Sequence, residues 1–173
     1  PQMVMAEKTD DSYMYGWYIS GPEQNDNIKA YIDGNDSVSG SNSLYIQKND
    51  QNWSDFSVDQ NVTIPAGTYT LSLWVKGGYE DATTVLLEGG HWQTHRLLNS
   101  EYTTGTEFTR TEGENGWAKL EKTLTVDSEN SRIRILTVGW ANGFYVDDVR
   151  LVKEGTTDNL ISNGSFDMRT APY

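Results

Sequence analysis

The nine residues Thr68–Lys76, TYTLSLWVK, alternate without a break. Tyr69, Leu71, Leu73 and Val75 fall on one side of an extended chain, and Thr70, Ser72, Trp74 and Lys76 fall on the other. Only a strand with one face on a core separates these residues so cleanly, because a helix would mix them around its circumference. Pro65–Gly67 supplies a turn just before it. The same rhythm predicts strands over Tyr15–Ser20, Ile28–Ile32, Leu44–Lys48, Phe56–Ile64, Thr83–Leu87, Trp117–Val126, Arg132–Val138 and Phe144–Val152. Gly89–Arg110 reads as long and irregular, with HWQTHRLL inside it able to extend. No stretch has the period of an amphipathic helix. About ten strands fit an all-β fold, a jelly-roll β-sandwich of two antiparallel sheets.

A length of 173 residues is that of one large β domain, and 36% apolar residues suffice for its core. The longest apolar runs fall far short of a membrane span, so no membrane insertion is expected. The first residues, PQMVMAEKTDD, lack the basic start and apolar middle of a signal peptide. With no cysteine there is no disulfide, thiolate metal site or cysteine nucleophile. A formal charge of −12 opposes nucleic-acid binding but suits calcium and neutral sugars. Six Trp and ten Tyr against four Phe favour rings with a polar handle, suited to flat, partly wet surfaces. About half of these rings are expected in the core.

Five segments, in order along the chain, resemble a known family. They are Gly16–Trp17, SGSNSLYI at Ser39–Ile46, QNVTIPAGTYTLSLWVKGG at Gln60–Gly78, GWAKLEKTLTV at Gly116–Val126 and GFYVDDVRLV at Gly143–Val152. Together they resemble the galactose-binding-like carbohydrate-binding modules of families four, nine, sixteen and twenty-two, with galactan-binding family sixty-one a further candidate. The resemblance implies a non-catalytic module that binds a polysaccharide or oligosaccharide. It would be secreted or attached to a cell surface, monomeric, and linked covalently to a glycoside hydrolase and further binding modules. Residues 1–153 form the module on this reading, and 154–158 a linker. NLISNGSFD, Asn159–Asp167, resembles the family's opening strand, so 159–173 is expected to begin a second copy. The alternative is that it folds back and supplies a strand to the first.

Simple alternation puts Asp147 on the same face as Tyr145, Val149 and Leu151. A carboxylate buried that way needs a partner or a cation. The resemblance implies a structural calcium ion on Asp147, with Asp11 or Glu7 and the Ser41–Ser43 turn as further ligands. The alternative is that Asp147 caps a turn through backbone hydrogen bonds.

Sugars are held by rings stacked on their C–H faces and by side chains that bond their hydroxyls. Trp17 and Trp117 match structural positions of the family and are expected in the core or at its edge. Trp92 is the leading candidate for contact, because His91, Gln93, His95 and Arg96 crowd around it. Loop packing is the plain alternative there. Trp140, beside Asn142, and Trp53, in the polar loop KNDQNWSDF, follow. Trp74, with Tyr79, lies on a concave sheet or under a loop. Lys122 interrupts the apolar face formed by Ala118, Leu120, Leu124 and Val126, and either snorkels or pairs with a carboxylate. The spacing of His91 and His95 is a weak zinc signal without a third ligand. No GxSxG, HExxH or phosphate-cradling glycine loop is present. A lyase or hydrolase jelly roll, and a structural or adhesive domain without a sugar site, remain the alternatives.

Overall fold

The computed structural model describes residues 14–50, 52–78, 83–97, 108–138 and 141–169. The strands are β1 (Tyr18–Ser20), β2 (Ile28–Asp33), β3 (Ser43–Lys48), β4 (Phe56–Ile64), β5 (Gly67–Gly78), β6 (Thr83–Gly89), β7 (Gln93–Arg96), β8 (Thr109–Glu112), β9 (Ala118–Val126), β10 (Asn130–Thr137) and β11 (Ala141–Lys153). They form two antiparallel sheets, β1-β4-β10-β6-β7 and β2-β3-β11-β5-β9-β8. This is the all-β sandwich expected from the alternation. The core lies between the sheets, where Tyr69, Leu71, Leu73 and Val75 of β5 meet residues such as Phe56, Val58, Ile133 and Ile135. Trp17 and Trp117 are both buried. β8 escapes sequence patterning because all four of its residues are exposed, leaving no apolar alternation to read. Lys122 sits opposite Leu71 on β5, half-buried, with its ammonium 6.0 Å from the centre of the Phe108 ring. Its charge faces a π surface.

β11 departs from simple alternation. Its pairing with β5 runs Tyr145 to Lys76 and Asp147 to Trp74, then shifts to Arg150 with Ser72 and Leu151 with Leu71. The extra residue is absorbed at Asp148, whose φ is 47°. Asp147 therefore belongs to the outward face with Tyr145, while Val149 and Leu151 turn into the core. The expected single face for Tyr145, Asp147, Val149 and Leu151 is corrected by this bulge.

The segment after Lys153 packs on the same sandwich. Asn159 bridges Val152, and its side chain bonds both Leu151 and Val149. Gln60 and Ser162 exchange two hydrogen bonds across the sheet edge. Ile161 and Phe166 are buried, and Phe166 stacks 5.3 Å from Trp17. The Trp17 indole donates to the Asn163 carbonyl. The apolar side chains of residues 159–169 thus fill the space beneath Trp17.

Candidate functional site

The register of the six-stranded sheet lines up Tyr31, Tyr45, Tyr145 and Lys76 from four adjacent strands, β2, β3, β11 and β5. All four side chains point outward, since their neighbours Ile32, Ile46, Val146 and Val75 point into the core. The rings of Tyr31 and Tyr45 lie 5.0 Å apart and those of Tyr45 and Tyr145 lie 5.1 Å apart. The Trp117 ring follows at 6.3 Å from Tyr145. Gly143 leaves room for this row: a Cβ there, at φ 101°, would run into the Tyr45 hydroxyl.

Polar groups fringe the rings. The Tyr45 hydroxyl donates to Gln47 Oε1 at 2.8 Å, and Gln47 Nε2 donates to the Asp26 carbonyl. Asp33 lies close enough to Tyr145 to raise its pKa. Asp36 accepts from Lys76 Nζ at 2.5 Å and from the Trp117 indole at 3.0 Å. Burial works against the Asp36 charge, but these donors and the Lys76 ammonium outweigh it and hold the carboxyl below its usual range. Burial, together with the neighbouring tyrosines and Asp33, raises the pKa of Tyr45 and Tyr145. Both therefore stay neutral hydroxyls.

Beside the row lies a cavity of about 310 Å³, lined by Ser37, Val38, Trp74, Gly113, Glu114, Asn115 and Trp117. Trp74, half-buried, presses close to Gly113, where a Cβ would sit 2.6 Å from its ring. Lys76 is two residues from Trp74 and in register with Tyr145, so the Asp36–Lys76 pair joins cavity and row. The 34–42 loop walls both features. It folds over Asp147, which is fully buried and accepts hydrogen bonds from the amides of Val38, Ser39 and Asp148.

That arrangement bears on calcium. Three N–H dipoles converge on the two oxygens of Asp147, which suits an anion and opposes a cation. Ser43 Oγ donates to the Asp36 carbonyl, and the Ser41 amide to Asp167 Oδ1. No group of three or more metal-ligating side chains exists among the described residues. Among the described residues, these groups do not fit the ion. Glu7 and Asp11 lie outside the described residues. Burial pushes the Asp147 carboxyl up to about 6 against the lowering effect of its amide donors.

The cluster around Trp92 is used internally. Gln93 bonds His91 Nδ1 at 3.0 Å, His95 Nε2 at 2.9 Å and the Thr125 carbonyl. His91 is held further by Asn130 and by the Asp127 amide. Burial and then the nearby Lys122 charge push the His95 pKa down to about 4. These groups tie the β6–β7 turn to the β9–β10 turn. Trp92 is 62% exposed above them, and Arg96 is exposed on β7. Trp53 is 80% exposed at the opposite end of the sandwich, on a loop anchored by Lys48, whose ammonium contacts Asp50 and the Asn52 carbonyl. Trp140 and Tyr79 lie outside the described residues, and Asn142 is exposed on β11. Thr137 and Ala141 pair with Phe56 and Lys48, at the end of the sandwich away from Trp92. Sequence reasoning missed Tyr31, Tyr45 and Tyr145. Tyr31 and Tyr45 sit at outward positions of predicted strands, but the outward position of Tyr145 depends on the β11 bulge and the adjacency of all three on strand order.

Solved structures share this fold. A family 61 carbohydrate-binding module in complex with β-1,4-galactotriose is 19% identical, with 83% of this chain and 92% of that one covered and a TM-score of 0.51. The first family 22 xylan-binding domain of Xyn10C from Paenibacillus barcinonensis is 14% identical, covering 84% and 90%, at 0.52. The C-terminal family 22 module of Clostridium thermocellum Xyn10B is 17% identical, covering 84% and 89%, at 0.51. No curated protein matches the chain. A family model described as "Carbohydrate binding domain", for families 4 and 9, matches residues 2–143. That match covers most of the chain, which therefore belongs to this family of carbohydrate-binding domains.

Proposed function

We propose that this binding module holds a neutral polysaccharide across the outward face of the six-stranded sheet. Tyr31, Tyr45 and Tyr145 provide the ring surface, and Asp33, Gln47, Asp36 and Lys76 meet the sugar hydroxyls. Trp74 provides a further ring in the adjoining cavity. The carrying observation is the row of three tyrosines on three neighbouring strands with a polar fringe. Rings supply apolar contact without charge, and acidic groups around them disfavour a uronate. The structures it resembles include modules of galactan- and xylan-binding families, and a neutral β-linked glycan of that kind is the proposed ligand class. On this reading residues 14–169 form one module, secreted and tethered beside a glycoside hydrolase. Binding without turnover then raises the local concentration of substrate.

Affinity electrophoresis through gels containing xylan, β-1,4-galactan, β-glucan or mannan tests the proposal. Retardation by at least one polymer, lost in Tyr45→Ala and Tyr145→Ala, is the expected result. Equal retardation of the wild type and both variants would move the site elsewhere, with Trp92→Ala and Trp53→Ala the next variants to run.

A further inference from the structure

The loop that walls the cleft hangs on carboxylates from distant parts of the chain. Asp147 Oδ2 accepts the amides of Val38 and Ser39 at 2.8 and 3.0 Å. Asp167 Oδ1 accepts the amides of Ser41 and Asn42 at 2.9 and 3.0 Å. Asn42 Nδ2 in turn donates to the Phe166 carbonyl, and Arg169 donates to the Ile32 carbonyl at the foot of the loop. Gly40, at φ 63°, gives the Asp167 carboxylate its place, since a Cβ there would lie 1.9 Å from Asp167 Oδ2. Asp167 is far from the cavity floor in sequence and is itself exposed. Its hold on Ser41 and Asn42 nevertheless fixes the loop whose Ser37 and Val38 line the cavity with Trp74.

We propose that Asp167, on the C-terminal tail, is a positioning residue for sugar binding: it clamps the 34–42 loop and so sets the wall of the cleft. This rests on the reading that the sugar lies on the tyrosine face. The tail is then part of the binding apparatus as well as of the core. A loop that samples other conformations binds more weakly in proportion to the fraction of time it is in place. Two single changes loosen it by different routes. Asp167→Ala removes the acceptor, and Gly40→Ala displaces the carboxylate and strains the backbone. Asp167→Asn keeps Oδ1, which accepts both amides, and serves as the conservative rescue.

The experiment measures affinity by retardation in gels of the polymer that the wild type binds, among xylan, β-1,4-galactan, β-glucan and mannan. Amide hydrogen exchange of residues 36–44 and melting temperature are followed alongside. Asp167→Ala and Gly40→Ala should weaken binding about fivefold or more and speed exchange in that segment. Asp167→Asn should stay within about twofold of the wild type. Melting temperature should change little in Asp167→Ala, as the removed carboxylate is exposed. Wild-type affinity in Asp167→Ala, with binding lost in Tyr145→Ala, overturns the clamp and leaves the tyrosine face standing. Wild-type affinity in Tyr145→Ala overturns the tyrosine face and the clamp with it.

Discussion

At the scale of single residues, two buried ionisable groups have opposed effects on stability. His95 is neutral in the fold, its pKa lowered to about 4 from the usual 6.5. Between those values the unfolded chain binds the extra proton, so stability falls as pH drops from 6.5 towards 4. Asp147, raised to about 6 from 3.8, has the reverse sign. Its contribution is full below 3.8 and is lost as pH rises through about 6. The two slopes overlap and partly cancel, so single variants are needed to see either. His95→Gln should abolish a pH-dependent loss of roughly 1–3 kcal/mol between pH 6.5 and 4, read from urea unfolding at several pH values. A wild-type slope steeper than that of the variant by less than about 0.5 kcal/mol over this range would mean His95 is protonated in the fold. The tyrosines respond differently. Losing one ring of the row should cost about tenfold in affinity, ~1.4 kcal/mol, with little change in melting temperature because the ring is on the outer face.

At the scale of elements, the bulge in β11 and the tail matter most. The bulge sends Asp147 outward under the 34–42 loop and returns Val149 and Leu151 to the core. It was not legible in GFYVDDVRLV, since alternation has no marker for an inserted αL residue unless that residue is Gly or Asn. The tail places Phe166 at φ 58° and fully buried against Trp17. Phe166→Ala should destabilise the module by about 3–5 kcal/mol in chemical denaturation. Deletion after Lys153 should be more damaging, because it also strands Gln60 and Trp17 without their partners in Ser162 and Asn163. A deletion variant with an unchanged unfolding midpoint would show that the tail is dispensable.

At the scale of the whole molecule, the sandwich presents two unlike outer faces. On the five-stranded sheet, Arg134 bridges Asp59 and Glu88 and bonds Ser57, while Ser20 also donates to Asp59. Arg132 reaches the same Glu88, so these charges are paired with one another. The six-stranded face instead carries a row of rings edged by Gln47, Asp33 and the Asp36–Lys76 pair. A neutral ligand held there should bind with an affinity that shifts by less than about twofold between 50 mM and 500 mM salt in affinity electrophoresis. A steep salt dependence would point to a charged ligand. The calcium expectation is tested at this scale too. With Asp147 surrounded by amide donors, adding calcium and then a chelator should move the melting temperature by less than about 2 °C. A larger shift would place an ion on residues outside those described.

Alternation in TYTLSLWVK and its companions determined most strands and the two-sheet class, because a strand's period is local and survives without knowledge of its neighbours. The order of strands is not local. It decided that Tyr31, Tyr45 and Tyr145 stand side by side, that His91 and Gln93 bond Thr125, Asp127 and Asn130 of the neighbouring turn, and that Trp53 and Trp92 lie at opposite ends. The strict alternation of Thr68–Lys76 marks Trp74 as outward-facing. Only the tertiary structure decided what faces it, a loop held by Asp147 and Asp167 from the far end of the chain, because hydrogen bonds spanning more than a hundred residues leave no trace in local pattern.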